Sequence, residues 1–129
     1  MILVDSSVGV DFFRPSPGRG GAELRRMIEE SEPFALSGMV VAEVWQGLTR
    51  DAGVIERFLT QWEMLEPGDL TLTGARRDLP RWTKKGIPSS TIDTLIAAIA
   101  LEHGASVFTL DRDFVRIARM TGLELYSEI

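Results

Sequence analysis

Five acidic residues of this 129-residue chain have the types and positions that could form a metal site: Asp5, Glu43, Asp93, Asp111 and Asp113. Carboxylates that share one pocket repel one another, and in a partly desolvated site some would take up protons unless a cation is present. The chain has no cysteine and a single histidine, so oxygen is the main available ligand type, which suits Mg²⁺ or Mn²⁺. These residues predict a divalent metal site if the fold brings them together.

Two of the aspartates directly follow predicted buried strands. Asp5 comes after the apolar run Ile2-Leu3-Val4, and Asp111 comes after Val107-Phe108-Thr109-Leu110. In an open parallel sheet, the carboxyl ends of the strands meet in one crevice where the strand order reverses. We therefore expect Asp5 and Asp111 to lie close together, although Asp5 could instead cap a helix or form an Asx turn.

The other acidic residues also have structural alternatives. Asp93 occupies the third helical position of a capping-box pattern, Ser90-Thr91-Ile92-Asp93. The helix predicted from Thr91 to His103 is apolar on most sides, however, and an ionised side chain in its first turn needs compensation. Either Asp111 or Asp113 could cap the last helix, but capping requires only one of them.

Periodicity alone gives no functional role to Glu43 or His103. Glu43 lies off the apolar stripe of its helix, so helical spacing by itself would place it in solvent. His103 ends a helix, where the helix dipole favours a positive charge, and this explanation is preferred to a catalytic role.

Short apolar runs alternate with helical patterns, which predicts an α/β fold with a central, mainly parallel sheet flanked by helices. The predicted strands are Ile2–Val4, Phe34–Leu36, Met64-Leu65, Ser106–Thr109 and an edge strand, Leu123–Tyr126. The predicted helices run from an N-cap at Ser6 or Ser7 to Phe13, from Ala22 to Glu30, from a cap at Ser37 to Leu48, from Asp51 onward, from Thr71 to Lys85, from Thr91 to His103 and from Phe114 to Met120. The segment Arg14–Gly21 is predicted to be a loop, and a break is expected at Pro80 with Asp78 as the new N-cap.

Length and composition favour one soluble domain spanning residues 1–129. The chain is 44% hydrophobic and 26% charged, and its longest apolar stretches are too short to span a bilayer, so we expect a cytoplasmic protein. Its net charge of −5 is unsuited to binding nucleic acid by bulk electrostatics. One local basic cluster could bind a polyanion: Arg76, Arg77, Arg81, Lys84 and Lys85, with Trp82 among them. The alternative is a solvated helix face with Trp82 in the core or in a dimer interface.

Four motifs occur in this order: Val4-Asp5-Ser6-Ser7 with Phe12-Phe13, the segment from Ser37 through Ala42-Glu43-Val44 to Gly47, Asp93-Thr94-Leu95-Ile96-Ala97-Ala98, and Thr109-Leu110-Asp111-Arg112-Asp113-Phe114. They resemble the motifs of PIN-domain ribonucleases, and more narrowly those of the VapC toxins of VapBC toxin–antitoxin modules. The resemblance covers essentially the whole chain. Ser6-Ser7 replaces the commoner Thr-Ser or Thr-Asn, and Pro80 interrupts a segment that is normally a continuous helix.

The resemblance implies a PIN-like three-layer sandwich and a Mg²⁺-dependent endoribonuclease that acts as the toxin of a type II toxin–antitoxin system. It implies that Asp5, Glu43, Asp93 and Asp111 form the catalytic site, with Asp113 as a fifth or supporting member. Asp5, Asp93 and Asp111 would be the metal ligands, and Mn²⁺ could replace Mg²⁺. Ser6 and Thr109 match small hydroxyl positions beside the site. Glu43 or Asp111 would accept the proton of the attacking water. An RNA substrate, a cognate VapB-type antitoxin and a homodimer are the implied partners, with no membrane association.

Three other function classes are compatible with parts of this pattern. A receiver-like signalling domain also places strand-end aspartates around Mg²⁺, but a Lys after the last strand region is missing here. A haloacid-dehalogenase-type phosphatase would have Asp-x-Asp after its first strand, whereas Asp5 is followed by Ser6-Ser7. A catalytically silent PIN-like binding module is disfavoured by the intact set of carboxylates.

Overall fold

The computed structural model describes residues 1–47, 52–69, 73, 77, 80–81, 84 and 91–126. Within these residues the chain forms four strands: β1 (Ile2–Val4), β2 (Ala35–Leu36), β3 (Glu63–Met64) and β4 (Ser106–Phe108). Six named helices accompany them: α1 (Ser6–Phe12), α2 (Arg19–Glu29), α3 (Gly38–Gly47), α4 (Ala52–Leu59), α5 (Thr91–His103) and α6 (Asp113–Thr121). Helical backbone is also described at Asp69, Thr73, Arg77, Pro80, Arg81 and Lys84.

The four described strands form one sheet in the order β3-β2-β1-β4, and every pairing within it is parallel. Strands β1 and β4 pair from Ile2 with Ser106 to Val4 with Phe108. Along the chain, β1, β2 and β3 follow one another toward one edge of the sheet. Strand β4 then pairs with the opposite side of β1. The strand order therefore reverses between β1 and β4, which is where an open parallel sheet forms its crevice.

The core lies between this sheet and the helices around it. Buried side chains come from β1 (Leu3, Val4), from β4 (Val107, Phe108) and from the helices, of which α5 alone contributes four. The members from α5 are Ile96, Ala97, Ile99 and Ala100. Helix α5 is buried on several sides, as its nearly continuous apolar sequence predicted. The predicted α/β architecture, a parallel sheet flanked by helices, is confirmed.

Several predicted boundaries also agree with the structure. Helix α5 has the predicted bounds, and it ends before Gly104, whose φ of 64° is in the left-handed region that favours glycine. Helix α6 ends before Gly122, with φ 76°, in the same way. Ser37 caps α3 as predicted, because its Oγ accepts a hydrogen bond from the Val40 N–H at 3.2 Å.

Two helix starts were predicted incorrectly. Helix α1 begins at Ser6 with Asp5 in the N-cap position, which agrees with the alternative given for Asp5 and not with a cap at Ser6 or Ser7. Helix α2 begins at Arg19 rather than Ala22, so the end of the predicted loop Arg14–Gly21 is helical. The cause is a long-range contact: Asp11 of α1 accepts hydrogen bonds from the N–H groups of Gly18 and Gly21, and thereby caps α2 from a different helix.

The smaller strands deviate by one or two residues. Strand β3 is Glu63–Met64 rather than Met64-Leu65, β2 begins at Ala35 and β4 ends at Phe108. The predicted edge strand is reduced to one parallel bridge between Val107 and Leu125. Pro80, where the break was predicted, and Arg81 are helical. The predicted N-cap Asp78 lies outside the described residues, as do Leu79, Asp51 and Ser90. Over the described part of the chain, we find no helix long and apolar enough to cross a membrane.

Candidate active site

A cleft of about 530 Å³ opens at the carboxyl ends of β1 and β4. Four of the five predicted site residues line it: Asp5, Glu43, Asp93 and Asp111. Asp113 is not part of the cleft lining, but one of its carboxylate oxygens lies close to those of Asp93 and Asp111. The structure therefore brings together residues that are up to 106 positions apart in the chain, since Asp5 and Asp111 line one cleft.

Asp5 is held in place by hydroxyl groups from both strand ends. Its backbone N–H donates to the Phe108 carbonyl at 2.8 Å, which continues the β1–β4 pairing by one residue. Its Oδ2 accepts hydrogen bonds from Ser7 Oγ at 2.8 Å and from Thr109 Oγ1 at 2.9 Å. The side chain is only 2% exposed, so these contacts fix its orientation within the protein.

The same two hydroxyls also organise the loop that follows β4. Ser7 Oγ accepts a hydrogen bond from the Leu110 N–H at 2.9 Å, and Thr109 Oγ1 accepts one from the Asp111 N–H at 3.0 Å. Each hydroxyl has a single proton, which it gives to Asp5, so the backbone amides occupy its acceptor side. Ser7 and Thr109 thus link the position of the Asp5 carboxylate to the position of Asp111.

The second oxygen of Asp5 has a different environment. Oδ1 is buried, and within the described parts of the chain it has no hydrogen-bond partner. A buried oxygen of an ionised carboxylate is costly to leave without compensation. This oxygen and the neighbouring carboxylates fit the requirements of a bound cation.

Asp93, Asp111 and Asp113 form the most compact acidic group among the described residues. One carboxylate oxygen from each lies within 4.8 Å of the others, and all three side chains are partly buried. Asp93 is in the first turn of α5 and Asp113 in the first turn of α6, where the helix dipole favours negative charge. Asp111 Oδ1 accepts the Asp113 N–H at 2.9 Å, so Asp111 also provides the cap-like contact at the start of α6. Together with Asp5 Oδ1, which has no hydrogen-bond partner in the described part of the chain, this group could hold a divalent ion.

Glu43 approaches the cleft from α3, which packs against α1. A Cβ atom added at Gly9 of α1 would lie 2.8 Å from Val44 Cγ2, so the two helices approach more closely than a side chain at position 9 would permit. Because of this close approach, Ser6 Oγ reaches Glu43 Oε1 and donates a hydrogen bond of 3.1 Å. Burial raises the pKa of Glu43, and repulsion from Asp5 raises it further, while the Ser6 hydrogen bond acts in the opposite direction.

Two residues of this region, Ser7 and Asp11, were not identified from the sequence as part of the site. Ser7, rather than Ser6, is the serine that contacts Asp5, while Ser6 contacts Glu43. Asp11 and Arg14 also line the cleft. The available signal for Asp11 was an acidic residue inside a short and otherwise mostly apolar helix, followed by a glycine-rich loop with no Ser, Thr, Asp or Asn directly before α2. His103 lies at the far end of α5 and contacts the Glu66 carbonyl at 3.1 Å, away from the cleft lining.

Comparison with known proteins agrees with this fold. Residues 2–120 match the PIN domain family, and the chain belongs to this family. It is 32% identical to Ribonuclease VapC11 of Mycobacterium tuberculosis, over 98% of both chains. The resemblance to the VapC branch of PIN-domain proteins, predicted from the four motifs, is therefore confirmed.

Two solved structures share the fold. The structure of FitAcB from Neisseria gonorrhoeae superposes with a TM-score of 0.75 at 24% identity, covering 98% of this chain and 97% of that one. The structure of VapBC2 from Rickettsia felis bound to a DNA fragment from their promoter has a TM-score of 0.75 at 20% identity, covering 98% of both chains. At these identities the two structures support the PIN-like architecture alone.

Proposed function

We propose that this protein is a Mg²⁺-dependent endoribonuclease, and that Asp5, Glu43, Asp93, Asp111 and Asp113 form its active site. The observation that carries the proposal is the buried Oδ1 of Asp5, which has no hydrogen-bond partner among the described residues, at a cleft that Asp5, Asp93 and Asp111 line. Membership of the PIN domain family and 32% sequence identity to a protein named as a ribonuclease support RNA as the substrate. A receiver-like signalling domain does not agree with the family match.

Asp5, Asp93 and Asp111 would hold the ion, and Asp113, whose carboxylate oxygen lies near those of Asp93 and Asp111, would support them. All-oxygen ligation by a few carboxylates, with room for water in an open cleft, favours Mg²⁺, and Mn²⁺ is a plausible substitute. When bound, such an ion supplies Lewis acidity that activates water and neutralises the charge that develops on the phosphate. Ser7 and Thr109 orient Asp5 for this role through their hydrogen bonds to Oδ2.

Glu43 is the better of the two candidates for accepting the proton of the attacking water. Its raised pKa brings it closer to the value that an effective general base needs near neutral pH. Asp111, by contrast, already accepts the Asp113 N–H with its Oδ1. We assign proton transfer to Glu43 and ligand and capping roles to Asp111.

The central test is RNA cleavage by the purified protein with Mg²⁺ and with EDTA. Asp5→Asn and Asp93→Asn each remove a ligand charge at nearly constant side-chain volume, so RNA cleavage should be abolished. The far-ultraviolet circular dichroism spectrum should be retained, because the fold is unchanged. Asp69→Asn removes the same charge from an exposed residue outside the cleft and should leave cleavage unchanged. Cleavage at the wild-type rate by a folded Asp93→Asn variant would exclude this site. A wild-type protein that binds RNA without cleaving it would instead be a silent PIN-like binding module.

We further propose that the enzyme is a cytoplasmic homodimer and the toxin of a type II toxin–antitoxin pair. The naming of its relatives as VapC proteins supports this, and the expected genomic neighbour is a small reading frame encoding a DNA-binding, VapB-type antitoxin. Co-expression with that antitoxin should relieve growth inhibition and yield a complex without nuclease activity. Full activity in a stable complex would contradict the toxin assignment and leave the nuclease assignment intact.

A further inference from the structure

The cleft contains one basic side chain among the described residues that line it. That residue is Arg14, which follows α1 and faces a lining that includes Asp5, Asp11, Glu43, Asp93 and Asp111. Its side chain is 62% exposed, so the guanidinium is accessible from solvent. An RNA phosphate that enters this cleft would meet several negative groups and, in the described lining, a single positive one.

Asp11 fixes the backbone of the loop that carries Arg14. Asp11 is 6% exposed, and its two oxygens accept the N–H groups of Gly18 at 3.1 Å and Gly21 at 2.7 Å. Its carbonyl accepts the Arg14 N–H at 3.2 Å. One residue therefore anchors both ends of the loop from Arg14 to Gly18. Pro15 and Pro17 restrict that loop further, because each has a fixed φ.

The contact between the two charged groups leaves Arg14 able to bind another anion. Arg14 Nη1 lies 3.7 Å from Asp11 Oδ1, longer than the roughly 2.7–2.9 Å of a charge-assisted hydrogen bond. Both Asp11 oxygens already accept backbone N–H groups, which compete with the guanidinium for their lone pairs. A guanidinium has five N–H donors in a planar fork that matches two phosphate oxygens. Asp11 thus attracts the Arg14 guanidinium electrostatically and leaves its N–H donors available to another anion.

We propose that Arg14 binds an RNA backbone phosphate next to the scissile one and so positions the substrate against the carboxylates. This inference rests on the proposed ribonuclease function. Arg14 would act on substrate binding, and the hydrolysis step would depend on the acidic residues. The expected consequence is a larger effect on KM than on kcat.

The experiment compares Arg14→Gln, Arg14→Lys and a matched control, Arg25→Gln. Arg25 is exposed on α2 and does not line the cleft, so its substitution changes the net charge equally. Cleavage of an unstructured single-stranded RNA is followed with Mg²⁺ at several KCl concentrations. Arg14→Gln should raise KM about tenfold with kcat nearly retained, as loss of one charged hydrogen-bonding group predicts. The slope of log(kcat/KM) against log[KCl] should become shallower by about 0.7, the value for one contact to a single strand.

The other variants separate the possible outcomes. Arg14→Lys should restore the salt slope, because the charge is retained, but only part of the KM, because the fork is lost. Equal KM values and salt slopes for Arg14→Gln and Arg25→Gln would overturn the inference while wild-type cleavage upholds the proposed function. A loss confined to kcat would also overturn it, since it would assign Arg14 to the chemical step. Absence of Mg²⁺-dependent cleavage by the wild-type protein would remove the proposed function and this inference together.

Discussion

The two oxygens of the Asp5 carboxylate have different roles: one is held by structural hydrogen bonds, and the other belongs to the proposed metal site. Oδ2 accepts two hydroxyl hydrogen bonds that connect the ends of β1 and β4, while Oδ1 is buried without a partner among the described residues. Strand-end spacing was sufficient to predict that Asp5 and Asp111 meet. It could not predict which serine supports Asp5, because adjacent hydroxyls at a helix start differ only in direction.

Glu43 gives a test that depends on pH. Its pKa is raised in the folded protein, mainly by burial, so the native state holds this proton more tightly than the unfolded chain does. The resulting stabilisation is fully present below the ordinary value of 4.5 and is lost as pH rises through the higher folded pKa. In EDTA, Glu43→Gln should therefore gain stability relative to the wild type as pH rises from about 4 to about 8.

Urea unfolding across this pH range would measure that difference. Gln keeps an acceptor for Ser6 and cannot ionise, and Glu29→Gln removes the same charge from an exposed site on α2 as a control. If the difference in free energy of unfolding between Glu43→Gln and the wild type does not change with pH, burial of the Glu43 charge is not costly. The residue itself was identified through the family motif, since helical periodicity placed it off the apolar stripe.

For the helices, local sequence signals predicted the bounds correctly where residues in the helix or directly next to it determine its ends. Helix α5 has the predicted bounds because a long apolar pattern and Gly104 define it. Helix α2 was misplaced by three residues because its cap, Asp11, comes from another helix. Such a contact depends on the packing of α1 against α2, and no signal within the α2 sequence encodes it.

The contact between α1 and α3 leads to a prediction for Gly9. Alanine favours helix over glycine by about 1 kcal/mol, so Gly→Ala in an open helical site should stabilise the protein. At Gly9 the added Cβ would lie 2.8 Å from Val44 Cγ2, and the overpacking should instead destabilise the protein by about 1–3 kcal/mol. Gly53 of α4 has no atom within 4 Å of an added Cβ among the described residues, so Gly53→Ala should be neutral or stabilising.

Chemical denaturation of the two alanine variants provides the comparison. Gly9→Ala should also reduce RNA cleavage, because separation of α1 from α3 moves Glu43 away from Ser6. Equal stability changes at positions 9 and 53 would show that α1 and α3 can move apart at no cost. The close approach would then not be a determinant of the site.

For the whole molecule, the strand order β3-β2-β1-β4 explains why the carboxylates converge. The reversal between β1 and β4 puts Asp5 and Asp111 on one crevice, and the starts of α5 and α6 bring Asp93 and Asp113 near it. Alternation of strands and helices was enough to predict a parallel sheet, although strand order depends on contacts far apart in sequence. Arg77, Arg81 and Lys84 of the basic cluster are exposed and helical, while Arg76, Trp82 and Lys85 lie outside the described residues. RNA binding by that cluster remains a prediction.

The most direct measurement is the location of Mn²⁺ in crystals of the protein by anomalous scattering, at a concentration that supports RNA cleavage. We expect a peak within coordination distance of Asp93, Asp111 or Asp113, in the cleft that Asp5 also lines, and loss of that peak in Asp93→Asn crystals. Crystals of Asp69→Asn should retain it. Mn²⁺ bound only outside the cleft, in protein that cleaves RNA with Mn²⁺, would contradict the assignment of these carboxylates as the metal site.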